Sequence, residues 1–307
     1  MLTHGKLLHA ELVDDSTYPY TDVREVWERG GQMSTIHKGI DVSKWQDTID
    51  WDKAKADGVE FAMIRAGYGQ GNIDEQFYRN ADECTRLGIP FGVYWFSYAY
   101  TEAMARREAE HCLEVIKPYK LSYPVAFDYE YDSYDHGVEN GVVPTKTLIS
   151  AMARAFLNKV EEAGYYGMLY ANPNYLAQYF DDDLPERYDV WLAKWPYTVP
   201  DPDTPKPEQC GGIWQYTSNG AVAGINGRVD MNYAYYDYPA LTGYKPEVSE
   251  PEDEPEVDKP VDYETEKALA REWVQELGIS DGERGGDGVT REEVWVMLYR
   301  LIENIGG

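Results

Sequence analysis

Between residues 36 and 240 the chain alternates short apolar runs with stretches of helical periodicity. The apolar runs are IHKGIDVS, FAMIRAGYG, PFGVYWFSY, PVAFDYE, GMLYAN, DVWLAKW, GGIWQYTS and RVDMNYAY. Several are nearly continuous in hydrophobicity, the pattern of strands covered on both faces. Helical patterns separate the early runs, over Asp74–Leu87, Glu102–Ile116 and Thr145–Ala163. Strands alternating with helices predict a parallel sheet with helices outside it. Eight strands within about 200 residues predict a closed barrel near the short end of the usual size. The later connections are too short or irregular for full helices. The expected fold class is therefore α/β, a distorted (β/α) TIM-like barrel, followed by a small helical C-terminal domain.

Composition divides the rest of the chain. Residues 1–35 are polar and weakly patterned, an extension with one short helix expected at Thr21–Arg29 and no assignable role. The barrel is expected over residues 36–243. Residues 244–262, YKPEVSEPEDEPEVDKPVD, read as an extended linker, because spaced prolines block regular structure and the acids repel one another. Residues 263–307 read as two helices joined by GISDGERGGDGV. The second opens on a Thr290/Glu293 capping box and carries the stripe Val294, Met297, Leu298, Leu301 and Ile305. So small a unit buries little surface alone, and with Trp273 and Trp295 it is expected to self-associate into a homo-oligomer or to dock. The loop from Asp281 has Gly286 and Glu292 in EF-hand positions, but Glu283 and Gly285 break the ligand pattern, so a plain connecting loop is expected.

Charge narrows the partners. The chain holds 28 basic and 55 acidic side chains, a formal net charge of −27. That excludes a general nucleic-acid binder and electrostatic attraction to an anionic membrane. With 27 Tyr and 9 Trp but only 7 Phe, the aromatics suit sugar stacking in a wet cleft as well as a Tyr-rich core. Cys84, Cys112 and Cys210 form no metal or redox spacing and are expected as buried thiols. The sequence contains neither a run long enough to span a membrane nor the apolar segment of a signal peptide. Synthesis in the cytoplasm without a signal is expected, with release by another route.

Functional side chains of parallel barrels sit at the C-terminal strand ends. Here those ends carry Asp41 in GIDVS, Asp128 and Glu130 in AFDYE, and Asp230 in RVDMN. Burying unpaired carboxylates is expensive, so four of them converging point to a site, although any one alone reads more readily as a structural acid bonded to backbone or to Arg65. Asp128 and Glu130 are two apart and share a strand face, where mutual repulsion keeps one protonated. An acid beside a base can break a glycosidic bond. An oxygen-ligand Mg²⁺ or Ca²⁺ site is the rival use of the cluster; no metal and no cofactor is the expectation adopted.

The motifs GIDVSKWQ, GVYWFSY, AFDYE and WQYTSNGAVAGINGRVDMNYAY, in this order, resemble glycoside hydrolase family 25, the muramidases of phage endolysins and bacterial autolysins. The resemblance covers roughly Ile36–Tyr238. It implies that Glu130 is the general acid, and that Asp128 either attacks the anomeric carbon or orients the substrate's own 2-acetamido group to do so. It further implies that Asp41 and Asp230 flank and tune them, and that Tyr94, Trp95, Tyr98, Tyr170, Gln215 and Tyr216 line a saccharide cleft. Lys194 departs from the family pattern. The partner implied is bacterial peptidoglycan, and the setting a phage or prophage endolysin acting on the cell wall. A non-hydrolytic glycan-binding wall protein on the same barrel, or a chitinase-like glycosidase, are the alternatives. The C-terminal unit resembles one S-layer-homology repeat, which implies wall binding.

Overall fold

A computed structural model describes residues 36–243. The expectations for residues 1–35, the linker 244–262 and the unit 263–307, with its EF-hand-like loop and its wall-binding or oligomerising role, lie outside the described residues.

All eight apolar runs form strands of one closed barrel. They are β1 (His37–Val42), β2 (Phe61–Tyr68), β4 (Phe91–Phe96), β5 (Val125–Asp128), β6 (Gly167–Ala171), β7 (Asp189–Ala193), β8 (Ile213–Gly220) and β9 (Val229–Ala234). A two-residue strand, β3 (Asn72–Ile73), folds back antiparallel on the end of β2. The barrel order is β1-β2-β4-β5-β6-β7-β8-β9, closed by β9 pairing with β1. The helices are α1 (Trp51–Ala56), α2 (Phe77–Leu87), α3 (Glu102–Ile116), α4 (Tyr131–Glu139), α5 (Lys146–Glu162), α6 (Pro173–Gln178), α7 (Leu184–Arg187) and α8 (Tyr238–Leu241).

The strongest helical patterns become the longest helices. In α5 the Thr145 side chain accepts from the Leu148 N–H, and Ile149, Met152, Ala153, Phe156, Leu157 and Val160 form its buried stripe. Helix α2 stops at Gly88, whose left-handed backbone (φ 63°) is one that a side chain resists. The later connections are irregular, as expected: α6 and α7 are short, and no helix lies between β7 and β8.

The fully parallel sheet needs one correction. Strand β9 runs antiparallel to both neighbours. Gly220 and Val229 bound a connection far shorter than the dozen or more residues a parallel crossover requires, so the chain can only turn back. As a result β9 begins at the rim where the other barrel strands end. Asp230, its second residue, reaches the mouth at a strand start rather than a strand end, directly opposite Asp41.

Strand alternation divides the interior. Phe61, Met63, Ala126, Met168, Trp191, Ile213 and Ala234 pack inside the barrel, with Tyr123 and Tyr238 at its floor. Their strand neighbours Ile64, Val93, Phe127, Leu169, Leu192 and Trp214 form the larger layer beneath the helices. The three cysteines are buried free thiols. Gly39 makes room for Phe61, its register partner, whose ring stacks on Tyr123 at 4.5 Å between centroids. A Cβ at residue 39 would meet that ring, which has nowhere to move. Gly39→Ala is expected to cost about 1–3 kcal/mol. Thermal unfolding should show the lower midpoint; an unchanged midpoint would mean that the floor of the barrel is loosely packed.

Candidate active site

The mouth of the barrel is a cavity of about 570 Å³ whose lining includes Asp41, Arg65, Asp128, Glu130, Gln215 and Asp230. The structure therefore brings together all four acids that the sequence singled out. Asp41, on β1, is 5% exposed and accepts two side-chain amides through one oxygen, Asn232 Nδ2 at 2.8 Å and Gln215 Nε2 at 3.0 Å. Neither amide is free to flip. Trp191 Nε1 donates to Asn232 Oδ1 at 2.8 Å, and Trp195 Nε1 (3.1 Å) and the Tyr170 hydroxyl (3.3 Å) donate to Gln215 Oε1. An indole N–H can only donate, so it fixes which end of each amide faces Asp41.

Asp128 ends β5 and is 3% exposed, with Oδ1 lacking a hydrogen-bond partner among the described residues. Glu130 caps α4, its N–H donating to Ser133 Oγ at 3.0 Å. Its backbone is still extended (φ −123°, ψ −170°), so the two-residue strand period carries past the end of β5. Asp128 and Glu130 both face the cavity, while Tyr129 between them packs under the helices.

Burial dominates the ionisation of this cluster. It raises Asp128 and Asp41 well above the usual carboxylate range, and neighbouring acids add to the rise. Glu130 is pushed up to about 6, first by burial and then by the charges of Asp132 and Asp230. Asp230 also rises to about 6 through burial, opposed by a hydrogen bond with Asp41 and by Arg228. Asp128 is hydrogen-bonded to Glu130, as Asp230 is to Asp41. Two carboxyl groups make such a bond only with a proton between them. Near neutral pH the mouth thus offers both a proton donor and an anionic acceptor.

Of the expected cleft residues, Tyr94, Tyr170 and Gln215 line the cavity. Three others do not. Trp95 is fully buried under the helices, donating to the Gly69 carbonyl, and Tyr216 is buried outside the barrel, stacked on Tyr233. Each neighbours a residue that faces in, Tyr94 or Gln215, and consecutive strand residues point to opposite faces. Tyr98 lies beyond the end of β4, where its N–H donates to the buried Glu108, and it lines a neighbouring cavity with Tyr68 and His136. The Lys194 side chain is exposed, and its backbone carbonyl accepts from Trp214.

Sequence reasoning named Arg65 only as a possible partner of a structural acid and missed Phe96, Trp191 and Asn232, each an even number of positions from an inward-facing neighbour on its strand and so within reach of the same alternation. It also missed Trp45 and Trp195, 74% and 57% exposed, which flank the cavity from a one-turn 3-10 helix (Lys44–Gln46) after β1 and from the loop after β7. A tryptophan this exposed presents a flat apolar face at the rim, suited to a sugar ring.

Residues 40–225 match the family model described as glycosyl hydrolases family 25. The chain belongs to that family. This family 25 barrel is thus a glycoside hydrolase, with its four acids at the mouth. The uncharacterized Escherichia coli protein YegX is 30% identical over 226 residues, 70% of this chain and 75% of that protein. The autolytic lysozyme of Clostridium acetobutylicum is 26% identical over 198 residues, 64% and 55% of the two chains. Among solved structures, the modular autolysin LytC of Streptococcus pneumoniae superposes with a TM-score of 0.55 at 29% identity. That match covers 65% of this chain and 47% of the autolysin, so the family 25 barrel corresponds to less than half of that longer protein. A family 25 glycosyl hydrolase from Bacillus anthracis gives 0.55 at 25% identity, over 68% of this chain and 93% of that one.

The raised Glu130 has a measurable cost. Its folded pKa of about 6 exceeds the ordinary 4.5, so the native state binds the proton more tightly than the unfolded chain and is penalised once the group ionises. The penalty is absent below about pH 4 and full above about pH 7. Glu130→Gln removes it and should stabilise the protein at pH 7.5 by up to about 2 kcal/mol. Thermal unfolding of parent and variant should converge at pH 4. A difference independent of pH would show that ionisation of Glu130 is not its source.

Proposed function

We propose that the protein is a peptidoglycan hydrolase, an N-acetylmuramidase cleaving the β-1,4 bond between N-acetylmuramic acid and N-acetylglucosamine. The observation that carries this reading is the Asp128–Glu130 pair at the mouth of an open cavity, one carboxyl fully buried and the other half-buried, hydrogen-bonded to each other and both raised above the usual carboxylate range by burial. Glu130 protonates the departing glycosidic oxygen. Asp128, as the anion, attacks the anomeric carbon or orients the 2-acetamido group that does so. Asp41 and Asp230 hold the opposite side of the mouth, with Tyr94, Tyr170 and Gln215 in the cleft wall and Trp45 and Trp195 as platforms for sugar rings.

Peptidoglycan as the substrate is supported by the relatives: one is an autolytic lysozyme, and LytC has been solved with a synthetic peptidoglycan ligand. A glycan held by stacking and hydrogen bonds tolerates the chain's negative charge. A purely binding protein gains nothing from burying carboxyl groups that repel one another. The biological setting we favour is a phage or prophage endolysin. It is made in the cytoplasm and reaches the wall when the membrane is breached.

Digestion of purified peptidoglycan followed by borohydride reduction should yield reduced muramic acid. Glu130→Gln should lower that yield by about 10²- to 10⁴-fold while the protein stays folded. Release of reducing N-acetylglucosamine, or faster cleavage of chitin than of peptidoglycan, would replace the muramidase reading with one of its competitors.

A further inference from the structure

The two exposed tryptophans at the rim, Trp45 and Trp195, offer similar faces to a sugar ring but are held in different ways. The Trp45 indole N–H makes no hydrogen bond among the described residues. Its turn is fixed through the backbone instead. The Lys44 N–H donates to Asp74 Oδ2 at 3.1 Å, and Arg65 Nε donates to the same oxygen at 2.7 Å. Trp195 is tied through the indole itself, whose Nε1 donates to Gln215 Oε1 at 3.1 Å.

That tie is built from β7 and β8 outward. Trp191 and Trp195 are four positions apart, and both line the mouth. The inner indole, 1% exposed, holds Asn232, and the outer one holds Gln215. Both amides then donate to one oxygen of Asp41. Strand β7 ends at Ala193, yet the next residue stays against β8. The Lys194 N–H donates to the Gln215 carbonyl at 3.1 Å, and the Lys194 carbonyl accepts from Trp214 Nε1 at 2.7 Å. Trp195 therefore leaves an anchored backbone, and its indole meets the side chain of the residue that anchors it. One part of this ring faces solvent, while its N–H reaches the donor of a buried carboxyl group.

Tyr170 also reaches Gln215 Oε1, at 3.3 Å, but a hydroxyl can accept as well as donate and so tolerates a reversed amide. An indole N–H does not. With that N–H gone, Gln215 can turn Oε1 toward Asp41, where two acceptors meet unless Asp41 carries a proton on that side. Asp41 is already hydrogen-bonded to Asp230, so a reversed amide alters the charge and the proton arrangement of the mouth. We propose that Trp195 is a positioning residue: through Gln215 it holds the donor that Asp41 receives and so acts on turnover, whereas Trp45 serves glycan binding alone. The inference rests on the glycosidase reading of the four acids.

Trp195→Phe keeps a flat apolar ring at the rim and removes the N–H, and at a half-exposed position it leaves the core intact. In the full chain labelled with ¹⁵N, the side-chain amide signals of Gln215 are identified by their loss in Gln215→Met. In Trp195→Phe these signals should shift or broaden, while those of Asn232, held by Trp191, move less. With solubilised peptidoglycan glycan as substrate, kcat should fall by about fivefold or more, the equivalent of one hydrogen bond, with KM within about twofold of the parent. Trp45→Ala should instead raise KM more than it lowers kcat and leave the Gln215 signals in place. Superimposable Gln215 signals in parent and Trp195→Phe, or a raised KM at the parent's kcat, would reduce Trp195 to a platform and overturn the proposal. Gln215 signals that move as far in Trp45→Ala would overturn it equally. The amide signals need no turnover. A parent that cleaves no glycan would therefore refute the glycosidase reading, while the hold of Trp195 on Gln215 would still be decided by the spectra.

Discussion

Asp41 is held where the barrel closes, and the mouth is organised around that hold. Its carboxyl oxygen receives amides from β8 and β9, while the carboxyl itself stands on β1. One contact therefore ties three strands, two of them from the far end of the barrel domain. The amides are aimed in turn by the indoles of Trp191 and Trp195. These donors favour the ionised form of Asp41, against burial and the neighbouring Asp230. Without them burial and the neighbouring Asp230 would act on the Asp41 carboxyl with no amide to oppose them.

The rest of the site repeats this balance between cost and use. Folding excludes water from groups that prefer it, and the fold answers differently at each acid. Asp41 receives amide donors, Asp230 has Arg228 nearby, and Asp128 shares a hydrogen bond with Glu130. Glu130, at the first turn of α4, retains partial access to solvent and the least disturbed pKa that still exceeds the usual range. A structure optimised for stability alone would place apolar side chains in these positions. The carboxyl groups survive there because their displaced equilibria let one position give up a proton while another carries charge.

Much of this was legible in the residues themselves. Eight apolar runs became eight barrel strands, and the D-x-E spacing placed Asp128 and Glu130 on one face because their backbone stays extended beyond β5. The direction of β9 was legible too, from the short stretch between Gly220 and Val229, but it requires weighing connection length against the barrel template. The cleft aromatics were misread where the alternation of a strand was not applied: Tyr94 with Trp95, and Gln215 with Tyr216, cannot both face inward. What no local pattern reveals is the partnership of Arg65 with Asp74, or of Gln215 with Asp41, since those contacts are made by tertiary packing between separate elements. Trp45 lies in a single 3-10 turn and Trp195 in a loop, both too short or irregular for a period to indicate which way a ring will point.

The distance along the chain between Asp41 and its amide donors has a kinetic consequence. Gln215 and Asn232 lie 174 and 191 residues away from it in sequence. Contacts of that span form only after large loops have been closed, so they belong to the late part of folding. An incompletely assembled intermediate, however rich in secondary structure, would have Asp41 without its donors and the mouth without Asp230 opposite it. Such a species has no competent site, so lytic capacity arrives with the final suture of the cylinder rather than growing in proportion to the amount of folded chain.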